Sequence, residues 1–110
     1  MSDVLEKLAA TLEQRKTADP EASYVASLHR KGLNKILEKV GEEATEVILA
    51  AKDMQGDQGR SELIAEVSDL WFHTMVMLSH LEVDISEISD CLGERMGVSG
   101  IDEKAGRNKQ

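Results

Sequence analysis

A chain of 110 residues is about one domain's worth of sequence, and 13 basic against 21 acidic side chains leave it at −8, a charge that disfavours nucleic-acid backbones and anionic membrane surfaces. At 41% hydrophobic and 31% charged residues it has the composition of a globular domain and is too apolar for a disordered chain. Aromatic residues make up only 3%, there is one Pro, and Cys91 is the sole cysteine; the core is expected to be aliphatic and the elements long and helical, and an internal disulfide or cysteine-built zinc site is excluded.

Val4, Leu5, Leu8 and Leu12 fall at helical spacing and predict a first helix over roughly residues 3–17, broken by Asp19-Pro20. Tyr24, Val25 and Leu28 predict a short helix ending at Gly32. Leu33, Ile36, Leu37, Val40, Ala44, Val47, Ile48 and Ala51 form one amphipathic stripe, so a long third helix is expected to about residue 55. Gly56 to Arg60 reads as a turn, Ser61 as an N-cap, and residues 62–81 as a fourth helix. A fifth helix starts at Asp84, with Glu87 completing a capping box and Val83 and Ile88 a hydrophobic staple, and ends before Gly97.

Strand signals are missing from the sequence. The expected fold is all-α: one domain over residues 1–110, an antiparallel bundle of four to five helices with residues 97–110 as a loose tail. The fourth helix turns apolar nearly all round after Asp69 (Leu70, Trp71, Phe72, Met75, Val76, Met77, Leu78), so a homodimer or higher homo-oligomer is expected to complete its burial. No apolar run approaches the roughly 18 residues of a membrane span. The N-terminal segment MSDVLEKLAATLEQRK has acids where a signal peptide needs bases, which points to the cytoplasm.

The candidate chemistry lies in two acidic arcs. On a wheel of about 100° per residue, Glu42 and Glu46 lie together opposite the apolar stripe of the third helix, with Glu43 at its edge. Lys35 and Lys39 fall within about 60° of Glu42. On the fourth helix Glu62, Glu66, Asp69 and His73 share an arc of roughly 60° that leads into the apolar segment. Clustered like charges destabilise a helix, and buried carboxylates need a partner or a cation. Two antiparallel helices facing their rows at each other would make a hard-oxygen site suited to Mg²⁺ or Mn²⁺, beside which phosphoanhydride hydrolysis is the natural chemistry. Lys35 and Lys39 fit either phosphate contact or ordinary helix ion pairs. Ser23 and Tyr24 fit either a cap and its packing or substrate contact. His73 reads as a core histidine hydrogen-bonded to Asp69 rather than a metal ligand. His29, His80 and Cys91 carry no usable signal.

Glu42-Glu43-x-x-Glu46 followed by Glu66-x-x-Asp69 resembles the ExxE…ExxD signature of all-α nucleotide pyrophosphohydrolases. The stretches from Ser23 to Leu28, from Lys39 to Glu46, from Glu66 to His73 and from Gly97 to Ala105 narrow the resemblance to the phosphoribosyl-ATP pyrophosphatases of histidine biosynthesis, over roughly residues 3–106. The resemblance implies Mg²⁺-dependent hydrolysis of the α–β phosphoanhydride of phosphoribosyl-ATP to phosphoribosyl-AMP and pyrophosphate, in the stand-alone rather than the cyclohydrolase-fused form. It implies Glu43, Glu46, Glu66 and Asp69 as metal ligands, and Glu42 and Glu62 as further ligands or the base that orients water. It also implies a dimer or larger assembly. The alternatives are a house-cleaning nucleoside triphosphate pyrophosphohydrolase of the same fold and a non-catalytic acidic interaction module.

Overall fold

The computed structural model describes residues 3–97, so the expected loose tail falls, after Gly97, outside the described residues. Five helices follow in order: α1 (Asp3–Arg15), α2 (Tyr24–Lys31), α3 (Leu33–Asp53), α4 (Arg60–His80) and α5 (Ile85–Met96). No strand occurs among the described residues; the nearest thing is a single antiparallel bridge between Gln55 and Gln58 in the α3–α4 turn.

The local chemistry explains the boundaries. Ser23 sits in extended backbone and its Oγ accepts the Ala26 amide at 3.2 Å, which starts α2. Gly32, at φ +99°, closes α2 by donating to the Leu28 carbonyl and opens α3 in the same step, a backbone state that residues with a Cβ avoid. Asp84 and Glu87 form the expected capping box of α5. Ser61 does not cap α4. Gly59, left-handed at φ +81°, turns the chain so sharply that the helix begins at Arg60, and Ser61 falls inside the first turn.

Leu12, Val25, Leu28, Ile36, Met75 and Val76 form the buried core, with Leu5, Leu8, Ala9, Phe72, Met77 and Ile85 packed around it. It is aliphatic and Met-filled, as the composition requires, and it joins α1, α2, the start of α3 and the second half of α4. The buried part of α4 is narrower than its composition suggests. Met75, Val76 and His73 are buried, but Trp71 stays 47% exposed. Leu37, Ile48 and Leu49 of α3, Ile64 of α4, and Ile88 and Leu92 of α5 are also open. A helix in one small bundle has too few neighbours to cover an apolar surface that runs right round it.

At the far end of the core, α1, α2 and α4 meet in a polar corner. Ser79 Oγ donates to Glu13 Oε1 at 2.7 Å, Lys16 Nζ pairs with the same oxygen at 3.0 Å, and His29 Nδ1 lies 2.9 Å from His80 Nδ1 with the two rings stacked. One ring nitrogen must donate and the other accept, so the pair tolerates at most one proton between the facing atoms. Burial, then His80 and Lys16, hold the His29 pKa below the ordinary imidazole value, against a smaller opposing effect of Glu13. The folded chain therefore binds fewer protons here than the unfolded chain, and stability falls as pH drops through about 6.5 toward the lowered folded value. Melting curves of wild type and His29→Gln should show the wild type's relative stability greater near pH 7.5 than near pH 5.5. A difference independent of pH would remove His29 as the titrating group.

Candidate metal centre

The α3–α4 hairpin sets the register of the acidic residues. Across the hairpin that the Gln55–Gln58 turn closes, Ile36 and Val76 share the buried core, the charge of Asp69 acts on Glu43, and Glu43 and Glu46 of α3 meet Glu66 of α4. Carboxylate oxygens of Glu43, Glu46 and Glu66 all lie within 4.8 Å of one another. The two acidic arcs thus converge across the helix pair, and Glu43, at the edge of the apolar stripe, is the one driven inside, at 7% exposure.

Its environment is costly for a free anion. Burial first, then Glu46 and Asp69, push the Glu43 carboxyl above the usual carboxylate range, and His73 offsets this only in part. Lys39 Nζ lies 3.6 Å from Glu43 Oε1 and 3.2 Å from Glu42 Oε2. The other Glu43 oxygen, Oε2, is buried without a hydrogen-bond partner, and so is Glu66 Oε2. Two buried anionic oxygens aimed at no donor, in a group of three convergent carboxylates, suit a cation with hard oxygen preference, so the residues present fit a divalent ion such as Mg²⁺ or Mn²⁺.

Not every acidic candidate joins the triad. Asp69 is exposed and stands outside it, though near enough for its charge to act on Glu43. Glu62 lines a cleft of about 340 Å³ together with Glu46, Leu49, Ala50, Asp53 and Glu66. Asp53 was not among the sequence candidates, although it lies two turns beyond Glu46 on the same helical row. Glu42 is exposed and held by Lys39.

The remaining candidates divide in the same way. Lys35 pairs with Glu38 at 3.6 Å, one turn along the same helix. Ser23 spends its hydroxyl on the α2 cap. Tyr24 places its hydroxyl 2.8 Å from His73 Nε2. His73 is buried and satisfied as expected, but its contact with Asp69 is to the main-chain carbonyl, at 2.8 Å from Nδ1, rather than to the carboxylate.

Helices alone among the described residues, and acidic side chains shared by an antiparallel helix pair, define an all-α protein with a candidate centre for a hard divalent cation. The family model described as phosphoribosyl-ATP pyrophosphohydrolase matches residues 5–96. A phosphoribosyl-ATP pyrophosphatase from Hydrogenovibrio crunogenus (strain DSM 25203 / XCL-2) is 53% identical over 108 residues, which cover 98% of this chain and 96% of that protein. The chain belongs to the phosphoribosyl-ATP pyrophosphohydrolase family, and is an enzyme of the acid-anhydride hydrolase class.

Removing the buried charge should relieve the repulsion. In metal-free buffer with chelator, Glu43→Gln is expected to melt several degrees above wild type, and to gain less than wild type when Mg²⁺ is added. Thermal unfolding with and without Mg²⁺ checks both. A lower metal-free melting temperature in the variant would show that Glu43 is compensated by the protein itself.

Proposed function

We propose that this chain hydrolyses the α–β phosphoanhydride of phosphoribosyl-ATP, giving phosphoribosyl-AMP and pyrophosphate, with Mg²⁺ as cofactor and Mn²⁺ as its substitute. The observation that carries the proposal is the convergence of Glu43, Glu46 and Glu66, with two buried unpartnered oxygens, in a member of this family. Glu43, Glu46 and Glu66 hold the ion, and Asp69, next to Glu43, extends the ligand set toward solvent. Bound there, Mg²⁺ supplies charge neutralisation and Lewis-acid polarisation of the phosphoryl oxygens.

The chain's own groups do the rest. Of the two carboxylates proposed to orient water, Glu62 is better placed, because it lines the cleft beside Glu46 and Glu66 while Glu42 is engaged by Lys39. Glu62 accepts the proton as the water oxygen bonds to phosphorus, the bridging P–O bond breaks, and pyrophosphate leaves. Lys39, already turned toward the acidic row, is the cation suited to a phosphate oxygen. Lys35 is one turn farther off and plays at most an outer part. Ser23 contributes by setting where α2 begins, and the half-exposed Tyr24 ring offers substrate an edge at the same end.

The exposed apolar residues of α3, α4 and α5, Trp71 among them, are the surface a second copy would cover, so we read the working form as a homodimer or higher homo-oligomer. No described helix is long and apolar enough to cross a membrane. A biosynthetic role on a small-molecule substrate suits the cytoplasm.

Purified chain supplied with Mg²⁺ should release pyrophosphate from phosphoribosyl-ATP and do so far faster than from common nucleoside triphosphates. Glu46→Gln, Glu66→Gln and Asp69→Asn should each lower turnover by more than roughly a hundredfold, beyond the loss typical of outer-shell partners, with far-ultraviolet circular dichroism unchanged. Full activity in any one of them would take that residue out of the metal site. Faster release from the nucleotide panel would favour the house-cleaning alternative. Sedimentation of Trp71→Glu should show a smaller species than wild type; identical sedimentation would exclude this face from the assembly.

A further inference from the structure

Tyr24, the first residue of α2, and His73, deep in α4, are 49 positions apart, yet the tyrosine hydroxyl and His73 Nε2 are 2.8 Å from each other. The other ring nitrogen, Nδ1, lies 2.8 Å from the main-chain carbonyl of Asp69. A carbonyl can only accept, so Nδ1 carries a hydrogen. In the neutral ring Nε2 is then the acceptor, and the tyrosine hydroxyl donates to it. The result is a directed line of hydrogen bonds from Tyr24 through His73 to the backbone of Asp69.

The rings around this line hold it in place. Phe72 packs edge-on to His73 with centroids 5.1 Å apart, and Tyr24 is edge-on to the same imidazole at 5.8 Å. His73 is buried while Tyr24 is 52% exposed, so the line runs from the protein surface to the inner end of the acidic row. It ends at the helix turn that carries Asp69, opposite Glu43.

We propose that Tyr24 is a positioning residue: through His73 it holds the Asp69 turn of α4 in register with Glu43, and so sets the spacing of the carboxylates that grip the cation. This rests on the reading of Glu43, Glu46, Glu66 and Asp69 as the metal site. The tyrosine hydroxyl acts through the histidine and touches neither ion nor phosphate. Loss of the hydroxyl leaves a buried imidazole nitrogen without its donor and frees the ring to turn.

The test is Tyr24→Phe in the full chain, which keeps the ring and removes the donor. Mn²⁺ binding followed by calorimetry without substrate should weaken about tenfold, the scale of a lost outer-shell partner. With phosphoribosyl-ATP at saturating Mg²⁺, kcat should fall and KM stay within about twofold of wild type. The nitrogen chemical shifts of His73 should lose the pattern of an Nδ1–H tautomer whose Nε2 accepts a hydrogen bond. Unchanged Mn²⁺ affinity would overturn the proposal, and if KM also rose with kcat intact, the Tyr24 hydroxyl itself would be a direct substrate contact. A second pair of variants guards against misfolding. His73→Gln, which can both donate and accept, should retain more Mn²⁺ affinity than His73→Leu, and equal losses would count against the line. If wild type binds Mn²⁺ but releases no pyrophosphate from phosphoribosyl-ATP, the substrate reading fails while the Mn²⁺ comparison still decides the role of Tyr24.

Discussion

Repulsion between like charges that the fold forces together is the constraint around which this protein is built. The α3–α4 hairpin brings Glu43, Glu46 and Glu66 within 4.8 Å of one another and buries part of the group. A chain optimised for stability alone would place a hydrophobic residue or a matched cation at position 43. Lys39 compensates only one side of that carboxylate, and two buried oxygens keep no donor. On the proposed function, this unspent negative potential is what would let the helix pair take a cation, and through the cation a polyphosphate that an acidic chain would otherwise repel.

The hairpin can sustain this because its two ends are fastened differently. Toward the turn, the walls of the cleft are acidic and open. Away from it, Ile36 and Val76 lock the helices with fully buried aliphatic contacts, and α1 and α2 close over them. The carboxylates sit at the boundary between these regimes, where a rigid core fixes one side of each helix and solvent reaches the other. Such a boundary leaves the carboxylates reachable from solvent, yet denies them the freedom to swing apart.

The polar corner and the aromatic cluster divide the supporting work. Glu13, Lys16, Ser79, His29 and His80 tie the distal ends of α1, α2 and α4 far from the acidic cleft. Tyr24, Phe72 and His73 tie the start of α2 to the middle of α4, next to it. The short helix α2 is thus attached at both ends to α4, which explains why eight residues hold a fixed position beside a site they do not directly build.

Periodicity and capping chemistry were enough to delimit the helices, since an aliphatic stripe, Gly32 and the Asp84–Glu87 box act over a few neighbouring residues. The acidic rows were legible for the same reason, being face assignments within single helices. The start of α4 was not, because a left-handed Gly59 overrode the local preference for Ser61 as a cap. Which carboxylate is buried was also decided in three dimensions. Glu43 goes inside because it borders the apolar stripe of α3 and the packing of α4 covers that edge, while Glu42 and Glu46 stay exposed. Asp53 in the cleft, the pairing of Lys35 with Glu38, and the line from Tyr24 to the Asp69 carbonyl all depend on distances between helices or on rotamer choice. A linear pattern records which face a side chain occupies; only packing determines what that face meets.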